Sequence, residues 1–439
     1  MRVKSSMWVQ AGVLLGLVGI GAGMVLINPR ERHSAKPLTR RDPPTHAVYV
    51  WQHKWSPEVV TGIQKASRAT TAFMVLGAEI TFDKGEPRYR MPDVYWGALA
   101  ATTKPVWVVL RIHELPEIRR AEQRNSSAVL LADVARTLLH EMARFGIQAS
   151  GVQLDYDCAA EDLAEYASLL RMFREDLPNV SVSLTALPSW LNQPDVPGAL
   201  AEVDHYVLQV HSIETPGHID DPIKLCDTAR VPGWLQHAVA LGFPFLLALP
   251  TYGYRLNFAP GGEFLGLVAE DSQEARVGCT TREIMADPVE IASLVCALRS
   301  QPPAHLLGFA WFRLPVQGDR LNWSWPVLEK VMQGQMYKLD VRTGVRSPSP
   351  HLHEVWVKNE GDISPGEPIH IRVDWINGSL VAHDALAGFG FSPVSGDAGE
   401  LIGRAPLPGE ECMAAWFRLD PADGETVPVL RARAVEVLK

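Results

Sequence analysis

Ser150-Gly151-Val152-Gln153-Leu154-Asp155-Tyr156-Asp157-Cys158 is a short apolar run with a polar residue at every second place. As a strand, its period of two sends Gln153, Asp155 and Asp157 to one face and Val152, Leu154 and Tyr156 to the other. Two acids and an amide then share a surface. Burying two carboxylates side by side is costly unless something binds or pairs them. The alternation therefore marks either a site or a structural acid paired with a buried Arg. Further chemistry-bearing side chains stand near the ends of other apolar runs: Arg111, Gln209, His211, Tyr252, Trp311 and Arg313, with Glu79, Glu114 and Glu214 as alternative second carboxylates. His211 would serve as a general acid or base, or as a buried imidazole hydrogen-bonded to Gln209 or an Asp. No HxH or HExxH spacing accompanies these residues, so neither a metal nor a cofactor is expected.

These side chains need a frame. Apolar runs at 47–51, 71–76, 105–112, 150–158, 180–186, 204–211, 244–250 and 306–312 alternate with helical spacings at 57–69, 127–145, 164–173, 234–241 and 288–299. Short buried strands alternating with helices predict an α/β fold, a (β/α)8 TIM-like barrel, with an open doubly wound sheet as the alternative. No GxGxxG or GxxxxGKT-type sequence follows the first strand, which argues against the nucleotide-binding versions of that alternative. In a barrel, inward side chains near the C-terminal strand ends meet the ligand. Period two directs Gln153, Asp155 and Asp157 inward on the fourth run, Ser183 and Thr185 on the fifth, and Gln209 and His211 on the sixth. Arg111 on the third and Trp311 with Arg313 on the eighth are assigned the same way. Residues 255–287, rich in Gly and acids, read as a long loop after the seventh strand.

The flanks differ from this body. Residues 7–27 carry no charge and include Gln10 as their clearly polar member, which is long enough to span a bilayer. Residues 1–28 are therefore expected to be a membrane anchor or uncleaved signal; a cleavable signal ending near Gly21-Ala22-Gly23 is the rival. Residues 29–45, with Pro29, Pro37, Pro43 and Pro44 among charges, suit a linker, and 46–337 hold the barrel. From 338 to 439 short strand-like runs at 354–357, 369–375, 386–391, 414–418 and 427–437 suggest a small β-sandwich, structural or carbohydrate-binding. The body is expected outside the cytoplasm, in the periplasm or at the cell surface. A net charge of -9 argues against a nucleic-acid surface. Five cysteines without CxxC spacing indicate no zinc knuckle and no disulfide framework.

Three strand ends together resemble the family-18 glycoside hydrolases, the chitinase type. Their fourth strand carries D-G-x-D-x-D-x-E, to which Ser150 through Asp157 is similar in its Gly, its middle acid and its final acid. Ala248-Leu249-Pro250-Thr251-Tyr252-Gly253 is similar to their P-x-Y-G element, and Gly308-Phe309-Ala310-Trp311 to the strand bearing a substrate-floor Trp. Gln153 through Cys158, Leu184 through Trp190 and Leu208 through His211 also resemble a bacterial domain-of-unknown-function family, DUF3142, across most of residues 45–335. The chitinase resemblance implies acid-assisted hydrolysis of a cell-surface or extracellular glycan, such as an amino-sugar polymer. Asp157 would be the general acid and Asp155 its positioning partner. Gln153, Gln209, His211, Tyr252, Arg111 and Arg313 would hold the sugar over a Trp311 floor. Asp157 stands where that family has Glu, and Ser150 and Gln153 replace its first two acids. Either the geometry is rebuilt for another sugar, or a non-catalytic glycan-binding barrel remains. An Arg such as Arg111 or Arg313 making a bidentate contact to Asp157 would favour the second.

Overall fold

The computed structural model describes residues 44–83, 86–213, 215–268, 278–335, 337–365, 368–422 and 426–435. Its first parallel strands are β1 (Thr45–Val50) and β2 (Ala72–Asp83), with β3 (Glu86–Arg90) folded back antiparallel on the end of β2. Then come β4 (Val106–Ile112), β5 (Gly151–Tyr156), β6 (Val182–Ala186), β7 (His205–Gln209) and β8 (Phe245–Pro250). A small antiparallel sheet of β9 (Gly253–Phe258), β10 (Phe264–Val268) and β11 (Thr280–Met285) precedes β12 (Leu306–Phe312). Parallel pairing runs β1, β12, β8, β7, β6, β5, β4, β2 and closes from β2 back to β1, so this is a closed eight-stranded barrel. A closed ring leaves no topological switch point, which excludes the doubly wound alternative.

Helices fill every crossover, as the right-handed parallel connection demands. Pro57–Ala66 starts with a proline in its first turn, where the missing N–H breaks no bond, and buries Val59, Ile63 and Ala66 on one face. Ala121–Arg144 does the same through Ala128, Leu131, Ala135, Leu138 and Met142. It begins six residues before the apolar spacing alone indicated, because its first turns are exposed and carry no periodicity.

The barrel interior is a layered core of Ala47, Tyr49, Ala72, Met74, Val109, Val207, Leu246, Ala248, Leu307 and Ala310, bordered by Trp51, Trp107 and Phe312. Gly151 has a steric reason to be glycine. A Cβ there would lie 2.3 Å from the Trp107 ring and 2.5 Å from the Ser181 carbonyl. Trp107 fills the space so left and meets His205 edge-on, with ring centres 4.8 Å apart.

One expectation about the framework is overturned. The described part of residues 255–287 is no long loop: β9, β10 and β11 pair as a sheet. Leu256, Phe258 and Ile284 form its buried core, against which Ile213, Ile219, Ile223, Tyr254 and Phe264 pack. Gly261, Gly262 and Gly266, at and beside the β9–β10 turn, hid the alternation of the strands.

The chain divides into two compact units, the first ending at Gly334 and the second taking in Gln335–Lys439. The second has two four-stranded antiparallel sheets, formed by Val341–Ser349, Leu352–Asn359, Glu411–Pro421 and Gly378–Ala385, and by Gly390–Ser395, Ala398–Gly403, Ile369–Ile376 and Val429–Val435. Val355, Val357 and Phe417 of the first sheet and Ile371, Val373, Trp375 and Leu401 of the second share one core. All five cysteines are free thiols. Among the described residues no helix is long and apolar enough to cross a membrane. The anchor expected at 7–27 lies outside the described residues.

Candidate functional site

Strand register brings the site together. Glu79 on β2, Arg111 on β4 and Asp155 on β5 are direct neighbours in the parallel ladder, all on the face that lines the barrel. Arg111 Nη1 lies 3.1 Å from Asp155 Oδ2, and Nη2 lies 2.7 Å from Asp157 Oδ2. Asp155 is buried, whereas the Asp157 side chain is 37% exposed, as its place just beyond the strand end requires. Burial would draw the Arg111 guanidinium down, but the charges of Asp155 and Asp157 override it and raise its pKa, so it stays cationic. Burial pushes the Asp155 carboxyl up; Arg111 opposes this and Asp157 adds to it.

Below this triplet the interior stays polar. Gln153 is fully buried; its Oε1 accepts from the Tyr49 hydroxyl at 3.0 Å and its Nε2 donates to Thr185 Oγ1 at 3.3 Å. Gln209 Nε2 donates to the His211 carbonyl at 3.1 Å, fixing the turn out of β7. His211 lies 3.4 Å from the Tyr252 hydroxyl through Nδ1, and that hydroxyl lies 3.1 Å from the Tyr254 hydroxyl. Burial lowers the His211 pKa to about 3, with the Asp157 charge only partly opposing, so the imidazole is neutral near pH 7 and carries no charge to the site.

Phe312 stacks on His211 at 5.5 Å and meets Trp51 at 5.0 Å and Tyr252 at 5.3 Å edge-on. Trp51 and Tyr254 are half-buried at the same end of the barrel. Neither they nor Phe312 and Tyr49 stood among the expected site residues. Period two on the first run, through Ala47, Tyr49 and Trp51, was the signal for two of them.

Trp311 is a correction. It is fully buried on the outer side of β12, where its Nε1–H donates to His46 Nδ1 at 3.1 Å and the two rings stack. Burial lowers the His46 pKa to about 4, with Arg299 adding to the effect, which keeps Nδ1 an acceptor. The inward residues of β12 are Ala310 and Phe312, because the register shifts between Leu306 and Gly308. Gly308 sits at φ 148° and a Cβ there would meet the Thr45 backbone at 2.1 Å. Both faces of a barrel strand are buried, so hydrophobicity could not set the phase. Arg313 is likewise turned to its own partner: it is buried and ion-paired with Asp319 at 2.8 Å, with Tyr252 and Tyr254 in reach of its charge.

Of the alternative carboxylates, Glu79 joins the site. It lies 3.6 Å from both His53 Nδ1 and His113 Nε2. Burial works against its charge, yet the His113 hydrogen bond and the nearby His53, His113 and Arg90 hold its pKa below the ordinary glutamate value. Glu114 is exposed, and Glu214 lies outside the described residues.

Residues 102–317 match the model of a family described as a domain of unknown function, DUF3142. The matched segment runs from before β4 to just past β12, so it contains the whole Arg111–Asp155–Asp157 triplet with His211, Tyr252 and Phe312. Solved structures similar to this chain include the spore cortex-lytic enzyme SleL of Bacillus megaterium QM B1551, at 14% identity and a TM-score of 0.48 over 67% of this chain and 74% of that one. A chitinase from Chromobacterium violaceum ATCC 12472 aligns at 13% identity and a TM-score of 0.47, over 66% and 98%. A chitinase from Rhizomucor miehei aligns at 14% and 0.44, over 66% and 99%. A search of curated proteins returns no match for this chain.

Proposed function

We propose that the mouth of the barrel binds a glycan, and that the acid pair of β5 holds the sugar instead of cleaving it. The observation that carries this reading is Arg111, which does not grip Asp157 with both nitrogens but divides them between Asp155 and Asp157. A general acid must hand its proton to the leaving oxygen within hydrogen-bond reach. Asp157 has one of its two oxygens taken by Arg111 at 2.7 Å, and its side chain is a methylene shorter than the Glu of the hydrolases it resembles. Releasing Asp157 to act alone would cost it the charge-assisted hydrogen bond from Arg111 Nη2, while Nη1 keeps its contact to Asp155.

The remaining lining suits a pyranose, which offers apolar C–H faces and a rim of hydroxyls. Phe312, Trp51 and Tyr254 supply ring surface, and the Asp157 carboxylate and the tyrosine hydroxyls supply acceptors and donors beside it. The glycan we propose is an extracytoplasmic or cell-surface amino-sugar polymer, reached by a body tethered through residues 7–27.

The test incubates the protein with defined oligosaccharides, measuring binding by calorimetry and cleavage by mass spectrometry of the same samples. Binding with the oligosaccharide recovered intact is the expected result. Cleavage that disappears in Asp157→Asn would restore the hydrolase reading.

A further inference from the structure

The triplet is unbalanced in a way that specifies its ligand further. Arg111 takes Oδ2 of Asp155 and Oδ2 of Asp157. Asp155 is 7% exposed, and its Oδ1 makes no hydrogen bond among the described residues, although the Thr185 hydroxyl approaches the carboxylate. A buried carboxylate oxygen only accepts, so the missing partner is a donor. The neighbouring charges do not supply one. His211 is neutral, Arg313 is paired with Asp319, and Glu79 adds a further carboxylate in register beside Arg111, flanked by His53 and His113. Asp155 and Asp157 thus share a single guanidinium.

We infer that the mouth recognises a sugar bearing a free amine, its ammonium seated between Asp155 and Asp157. The inference rests on the glycan reading above and narrows it to 2-amino-2-deoxy sugars without an N-acyl group. An ammonium is a donor-only group with three N–H bonds and a positive charge, so it supplies the donor that the buried Asp155 Oδ1 lacks and completes the charge the two acids leave over. An N-acyl amide is neutral, offers one N–H, and brings a carbonyl that the carboxylates repel. A sugar hydroxyl also donates, but its hydrogen bond to a carboxylate lacks the charge on the donor side. The aromatic wall of Phe312 and Trp51 takes the ring faces in either case, so it contributes affinity without discriminating.

The probes are the β-1,4-linked tetramers of glucosamine and of N-acetylglucosamine, titrated calorimetrically into the full chain. The glucosamine tetramer is expected to bind at least about tenfold more tightly, since a charge-assisted pair is roughly twice as strong as a neutral one. Asp157→Asn should abolish that preference and Asp157→Glu should keep it, with circular dichroism confirming that both variants fold. Equal or tighter binding of the acetylated tetramer overturns the inference and leaves the glycan reading standing. No binding of either tetramer overturns both. A preference for the amine that persists unchanged in Asp157→Asn and in Asp155→Asn places the ammonium elsewhere and overturns the inference as well.

Discussion

Arg111 ties Asp155 and Asp157 together: one terminal nitrogen lies 3.1 Å from the deeper acid and the other 2.7 Å from the outer one. The three side chains come from adjacent strands and act as one unit, so the two ends of the unit should respond differently to mutation. Arg111→Ala leaves two carboxylates without their cation in the barrel and should destabilise the protein by about 3–5 kcal/mol, the usual cost of breaking a buried pair from one side. Asp157→Asn, at the half-exposed end, should cost no more than about 1 kcal/mol. Chemical denaturation of both variants checks the contrast; equal losses would mean that the bridge is not what holds the acids.

Trp311 and Phe312 are adjacent but face opposite ways, so their roles should separate. Trp311→Phe leaves His46 Nδ1 buried without its donor and should cost about 1–3 kcal/mol of stability, while sugar affinity stays unchanged. Phe312→Ala should weaken sugar binding roughly threefold to tenfold, the range of one aromatic contact. A binding defect in Trp311→Phe with normal stability would reverse the assignment of the two faces.

Three buried imidazoles make stability depend on pH. His46 and His205 are lowered to about 4 and His211 to about 3, each chiefly by burial, from an ordinary value of 6.5. Above pH 6.5 each is neutral both folded and unfolded. As the pH falls below 6.5 the unfolded chain takes up protons that the folded one refuses, so stability drops by about 1.4 kcal/mol per pH unit for each group. The loss levels off below about 4 for His46 and His205. Melting curves between pH 7 and 4.5 should show a shallower decline in His205→Phe than in the parent. Parallel curves would show that His205 protonates inside the fold.

Gly151→Ala tests the packing at the base of the barrel. The new methyl meets both the Trp107 ring and the Ser181 backbone carbonyl, so the loss should reach or exceed the roughly 1–3 kcal/mol of ordinary overpacking. Adding Trp107→Leu should recover part of it, because the ring can be removed and the carbonyl cannot. No recovery in the double variant would assign the cost to the backbone contact alone.

Removing residues 1–43 should release the protein from the membrane fraction, because the uncharged run at 7–27 is the segment proposed to tether it. Retention of the shortened chain in the membrane would refute the anchor.

The barrel itself was legible in the sequence, because eight apolar runs alternating with helical spacings admit few other closed arrangements, and strand and helix periods are local properties. The acid face of β5 was legible for the same reason: Gln153, Asp155 and Asp157 are polar at a period of two inside an apolar strand. What the sequence could not determine was everything that depends on register between strands. The phase of β12 turns on a shift at Gly308, where the chain passes against the Thr45 backbone, and an all-apolar strand buried on both faces has no contrast from which to read it. The pairing of Arg111 with both acids likewise follows from the ladder of β4 against β5, which places residues 44 positions apart side by side. Sequence raised a contact from Arg111 or Arg313 to Asp157 as one possibility; only the closed ring decided that the single cation of Arg111 joins Asp157 to Asp155.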